Sequence, residues 1–159
     1  MRLYRVPKLI ASRMKRDADA VYTAITETEP VDVGEHWPAL HYTLCSESPM
    51  PRHVALAQGV AWDDKSLENV LMGGDATPYA DGLTVARVLA PKAVKALAAK
   101  LRKLTPEAVK ERVDDGMDDF LPPTWSKAKR AAVVKSFERL VECFAAAANA
   151  GEGILLYVP

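Results

Sequence analysis

Cysteine is scarce in these 159 residues: Cys45 and Cys143 are the only two, far apart and without Cys-x-x-C spacing. A disulfide framework is excluded, and two buried thiols in a reducing cytoplasm is the reading, with a single disulfide as its alternative. Long apolar runs are missing as well. None approaches the roughly 18–20 residues of a membrane span, so no membrane association is expected. The opening Met1-Arg2-Leu3-Tyr4-Arg5-Val6-Pro7-Lys8 is broken by charges and lacks the apolar core of a secretory signal. Its early arginines superficially resemble a transit peptide, but the segment reads better as a strand entering a helix. Charge of one sign is not in excess either: 21 Lys plus Arg balance 21 Asp plus Glu, for a formal net charge of zero. A protein living on phosphate neutralisation carries a basic surplus, so no nucleic-acid partner is expected. Internal repeats and low-complexity tracts are absent. What remains is a cytoplasmic globular chain with 49% hydrophobic and 26% charged residues, of a length suited to one domain that buries about 68–70% of its extended surface.

The richest segment is Glu35-His36-Trp37-Pro38-Ala39-Leu40-His41-Tyr42-Thr43-Leu44-Cys45. At helical spacing Trp37, Leu40, His41, Leu44 and Cys45 form one buried stripe, while His36 and Tyr42 lie off it. Pro38 must occupy the first turn, because deeper in a helix it would remove a hydrogen bond at a cost of about 3 kcal/mol.

Elsewhere the pattern alternates between short strands and amphipathic helices. Strands are predicted near 2–6, 84–89 and 153–158, with a further one at 68–72. The last, Gly153 to Val158, is a near-continuous apolar run and reads as buried on both faces. Leu9 to Met14 carries a turn or two of helix, and Asp17 to Thr26 a second helix. Glu29 to Gly34 is a linker. The stretch Ser46 to Gly82 is the least regular, with the breaker cluster Ser48-Pro49-Met50-Pro51 and the pair Gly73-Gly74. From Pro91 the chain is helical to Leu104, and Thr105-Pro106 opens another helix that ends near Asp114-Asp115-Gly116. After Pro122-Pro123-Thr124-Trp125, Ser126 caps the longest helix, which Gly151 stops. The expectation is an α+β fold: one small domain over residues 1–159, a few-stranded sheet that includes both chain ends, and several helices packed on it.

The order Trp37-x-x-Leu40-His41-Tyr42-x-Leu44, then Leu71-x-Gly73-Gly74, then Ala86-Arg87-x-Leu89-x-Pro91-x-x-Val94, closing with Gly151-x-Gly153-Ile154-Leu155-Leu156-Tyr157, resembles the YfbM-like bacterial proteins. The opening Leu3-Tyr4-Arg5-Val6-Pro7 fits the same pattern. The resemblance covers nearly the whole chain and implies a small α+β bacterial protein of unestablished biochemical function. It transfers no catalytic residue. The chain departs from the pattern in a longer Cys45 to Leu71 connection and in Leu121, where a tyrosine is usual.

Each candidate chemistry has a plainer counterpart. His41 and Cys45, four residues apart, converge, whereas His36 and His41 diverge by about 140° around the helix axis. His36 and His41 with Cys45 or His53 are the candidate metal ligands, but two that converge do not make a zinc site, so neither metal nor cofactor is expected. Cys45 with His41 lacks the local signature of a nucleophile and its base. Gly73-Gly74-Asp75 lacks phosphate-loop spacing and reads as a turn after a strand. Asp114, Asp115, Asp118 and Asp119 lack the calcium-loop pattern and read as a solvated acidic turn. Lys92, Lys95, Lys100, Arg102 and Lys103 read as a solvated basic face without interleaved aromatics. Two functions are carried forward. One is a non-catalytic module that binds another protein, of immunity or regulatory type, rather than an enzyme. The other is a small-ligand binder or enzyme whose site draws on Trp37, His41, Tyr42, Gly73, Gly74, Arg87 and Trp125.

Overall fold

The first and last strands of the chain pair with each other inside the sheet. The computed structural model describes residues 1–45, 67, 69–82, 84–116 and 125–159. His53, Asp118, Asp119, Leu121 and the Ser48–Pro51 breaker cluster lie outside them. In chain order the elements are β1 (Arg2–Val6), α1 (Lys8–Met14), α2 (Ala18–Glu27), β2 (Val31–Asp32), α3 (Trp37–Cys45), α4 (Asn69–Met72), β3 (Asp75–Asp81), β4 (Thr84–Leu89), α5 (Pro91–Leu101), α6 (Pro106–Gly116), α7 (Lys127–Ala150) and β5 (Gly153–Tyr157). The sheet order is β2-β1-β5-β4-β3, and every neighbouring pair is antiparallel. This is the expected α+β architecture, a small domain whose sheet includes both chain ends.

Local chemistry accounts for the helix boundaries. The Asp17 carboxylate accepts from the Asp19 and Ala20 N–H groups and opens α2. Thr105 Oγ1 accepts from Ala108 N at 3.1 Å ahead of Pro106, and Ser126 accepts from Lys129 N at the start of α7. Each satisfies a donor that the first helical turn leaves unpaired. Gly151 ends α7 in the left-handed region, φ 67°.

The sheet is covered on both sides. Successive residues of a strand point to opposite faces, so β5 feeds two cores. Ile154 and Leu156 join the larger one with Leu40, Leu71, Leu97, Phe137 and Phe144 beneath α3 to α7. Leu155 and Tyr157 join the smaller one with Tyr4, Met14 and Val21 beneath α1 and α2. All five residues of β5 are buried, as its apolar run predicts.

Three expectations are corrected. The predicted strand at 68–72 is helix α4, because a short apolar run such as Val70-Leu71-Met72 carries no period that separates the two forms. The Gly73-Gly74 turn therefore follows a helix, and leads into β3. The Glu29–Gly34 linker contains β2, whose two residues pair with Leu3 and Arg2. Strand β3 falls in the stretch read as irregular. Its alternation is interrupted by Pro78, tolerated because β3 is an edge strand, and its register shifts between Ala76 and Ala80. Within that shift Thr77 Oγ1 donates to Ala86 O at 2.9 Å, a side chain standing in for a ladder donor.

Candidate functional site

Helix α3 carries three of the seven candidate residues, Trp37, His41 and Tyr42, and the middle of its stripe is buried as the spacing requires. Leu40, His41 and Leu44 are buried, with His41 at 0% exposure, while Trp37 and Cys45 are half-buried at the two ends of the helix. The expectation of two buried thiols is met by Cys143 and not by Cys45; both are reduced. His41 and Cys45 do converge. The Cys45 Sγ lies 3.4 Å from His41 Nε2, and the thiol donates to the His41 carbonyl oxygen at 3.1 Å. Cys143 is buried, which pushes its thiol pKa up to about 11.

Arg87 and the glycine pair form a second, separate unit. Arg87 Nε donates to Gly73 O at 3.2 Å and Nη2 donates to Gly74 O at 2.5 Å. Its guanidinium thereby caps the carbonyl end of α4. Burial lowers the Arg87 pKa and the charge of Asp75 opposes that shift; guanidinium stays charged in either case. Gly74 takes φ 85° and passes close under the Val88 carbonyl. Trp125 belongs to a third group. Its ring lies 4.9 Å from that of His36, with Lys129 Nζ 6.0 Å from its centroid, and it packs against the larger core together with Trp37.

Concavities lined wholly by described residues include three of use here. One, of about 670 Å³, lies between the C-terminal end of α3 and α6, with Tyr42, Cys45, Glu111, Arg112 and Asp115 among its walls. Arg112 Nη1 donates to Thr43 O at 3.3 Å and ties the two helices. A smaller one, of about 240 Å³, separates α1 from α2. The third, of about 620 Å³, runs between α6 and α7. Val113, Ala131 and Val134 floor it; Lys110, Asp114, Lys127, Arg130, Lys135 and Glu138 rim it. Arg130 Nη1 holds the α6 terminus by donating to Val113 O at 3.3 Å and Asp114 O at 3.0 Å, and pairs with the Asp114 carboxylate at 3.6 Å.

Of the seven sequence candidates only Tyr42 lines one of these concavities. The α6–α7 groove was not foreseen, although a signal for it exists. Ala131 and Val134 are a small apolar pair beside the Val133, Phe137, Leu140 and Phe144 core stripe of α7, and only the placement of α6 turns them into a floor. Among the described residues no set of three or more His, Cys, Asp or Glu side chains is grouped to hold a metal ion, and no helix is long and apolar enough to cross a membrane.

Comparison with known proteins agrees with this architecture. The crystal structure of a protein of unknown function, YfbM from Escherichia coli, superposes with a TM-score of 0.66 at 13% sequence identity, covering 97% of this chain and 96% of that one. At that identity the likeness shows the fold. No curated protein matches the sequence. The model of the family described as a domain of unknown function, DUF1877, matches residues 2–157. The chain belongs to the DUF1877 family, and its fold is that of YfbM.

Proposed function

We propose that this protein is a non-catalytic interaction module, and that the groove between α6 and α7 receives a large apolar side chain from a segment of a partner protein. The α6–α7 groove carries the reading: an apolar floor of Val113, Ala131 and Val134, about 620 Å³ in volume, ringed by charges of both signs. Protein interfaces concentrate their energy where an apolar anchor fills such a pocket inside a polar rim. The rim has four cations to two carboxylates, and one of those carboxylates, Asp114, is already paired with Arg130. A segment bearing acidic residues beside its anchor fits that imbalance. The alternative, a small-ligand pocket drawing on Trp37, His41, Tyr42 and Arg87, has less in its support, because Arg87 is committed to the Gly73 and Gly74 carbonyls and His41 is fully buried.

Site-specific photo-crosslinking in the cell of origin tests the reading. A crosslinker at Ala131 should capture a defined partner that is lost when Val134→Asp charges the floor. The same crosslinker at Leu9, on the opposite side of the sheet, should not capture it. Equal capture at both positions, or none at Ala131 in folded protein, overturns the proposal.

A further inference from the structure

We propose that the solvent face of α5 is a second docking surface, one that recognises a carboxylate-rich segment of a partner protein. Lys92, Lys95, Lys100, Arg102 and Lys103 are all exposed. Taken at helical spacing they span an arc of about 160°, opposite the buried Val94, Leu97 and Leu101. The face is free of acid: no Asp or Glu occurs between Asp81 and Glu107. None of the five cations makes an ion pair with a described residue.

Fold stability does not explain all of them. Cations at the C-terminal end of a helix complement its dipole, which accounts for Lys100 in the last turn, Arg102 at the C-cap and Lys103 just beyond it. Lys92 lies in the first turn, where the dipole favours acids and α5 has none, and Lys95 follows one turn later on the same face. One cation held against the dipole, and a face of five like charges, cost stability and gain no ion pair with a described residue in return. A partner that neutralises them removes that cost.

The surroundings select the kind of partner. Between the cations the helix shows Ala96 and Ala99, so no aromatic ring is offered for a base to stack on and no long apolar chain for insertion into a bilayer. The patch is about 16 Å long on a chain of zero net charge, which matches a few turns of an acidic segment better than an extended polyanion.

Fluorescence anisotropy with a labelled Glu-rich helical peptide tests the surface at low salt. The wild-type protein should bind it, and added salt should weaken binding. K92E/K95E/R102E should weaken it by about tenfold or more, while K8E/R16E, charge reversals on the α1 side, should leave at least half of the affinity. K92Q/K95Q/R102Q supplies the same comparison should the reversed variant fail to fold. Separately, K92E/K95E should raise the melting temperature, which a purely structural role for these lysines would not produce. Three results would each overturn the proposal: no peptide binding, equal losses in the two charge-reversal sets, or α5-dependent binding that is tighter to duplex DNA or to phosphatidylserine vesicles than to the peptide. Because the Ala131 crosslink does not depend on α5, loss of one surface leaves the other separately measurable.

Discussion

Gly74 adopts φ 85°, and a Cβ there would lie 2.5 Å from the Val88 carbonyl oxygen, while at Gly82, φ 59°, a Cβ would meet nothing within 4 Å. Both substitutions to alanine incur the left-handed backbone strain, about 1–2 kcal/mol, but only Gly74→Ala also forces β3 away from β4. Chemical denaturation should therefore show Gly74→Ala losing clearly more stability than Gly82→Ala. The two cysteines separate just as sharply. Cys143 is buried with its thiol pKa pushed up to about 11, whereas Cys45 is half-buried at the end of α3. Iodoacetamide at pH 8 should add a single label to the native protein, mapped by mass spectrometry to Cys45, and two after unfolding. Cys45 was read from spacing as part of a buried stripe; its partial exposure follows from standing at the C-terminal end of α3, and a helical period does not encode where a helix stops relative to its neighbours.

Elements are joined at their ends by single polar contacts. The Tyr157 hydroxyl donates to Asp81 Oδ2 at 2.7 Å and ties the end of β5 to the end of β3, two strands separated in the sheet by β4. Ionising Tyr157 would set a phenolate against that carboxylate, so the hydrogen bond to Asp81, followed by burial, raises its pKa far above the ordinary tyrosine range. For a raised pKa, the linked stability is fully present below the unfolded value, about 10, and is lost as pH climbs from there toward the folded value. Wild type should thus lose stability more steeply than Tyr157→Phe between about pH 9.5 and 11.5, measured by urea denaturation; parallel curves would refute the clasp. A comparable contact closes α4. Arg87→Met should cost about 1.5–3 kcal/mol, the worth of hydrogen bonds from a charged donor, by leaving the Gly73 and Gly74 carbonyls without their guanidinium. Neither clasp was legible beforehand: Tyr157 and Asp81 are 76 residues apart, and Arg87 was read as a candidate ligand-binding residue, with no sign that its partners are the Gly73 and Gly74 carbonyls.

At the scale of the molecule, β5 is shared by two cores, with Ile154 and Leu156 facing one and Leu155 and Tyr157 the other. Removing Leu155 opens a cavity on the α1–α2 side, at a cost of about 2–5 kcal/mol. Trp37 and Trp125 report from the opposite side, packed on the larger core. If the shared strand couples the two layers, Leu155→Ala should shift the tryptophan fluorescence transition and the far-ultraviolet circular dichroism transition together, as one cooperative step. Separate transitions would mean that the two layers unfold independently.

The periodic elements needed nothing beyond the chain itself. The apolar stripes of α3, α5 and α7, the caps Thr105 and Ser126, the stop at Gly151 and the strands at both ends follow from spacing and backbone chemistry, which act over a few residues. Edge strands β2 and β3 escaped that reading, because an edge needs only one partner and tolerates Pro78, an irregular register and a length of two residues. The two proposed surfaces divide along the same line. The five cations on and just after α5 were visible as residues; that no acid among the described residues pairs with them is a tertiary fact. The α6–α7 groove exists only because α6 lies beside Ala131 and Val134, and a concavity is a relation between elements that no local pattern contains.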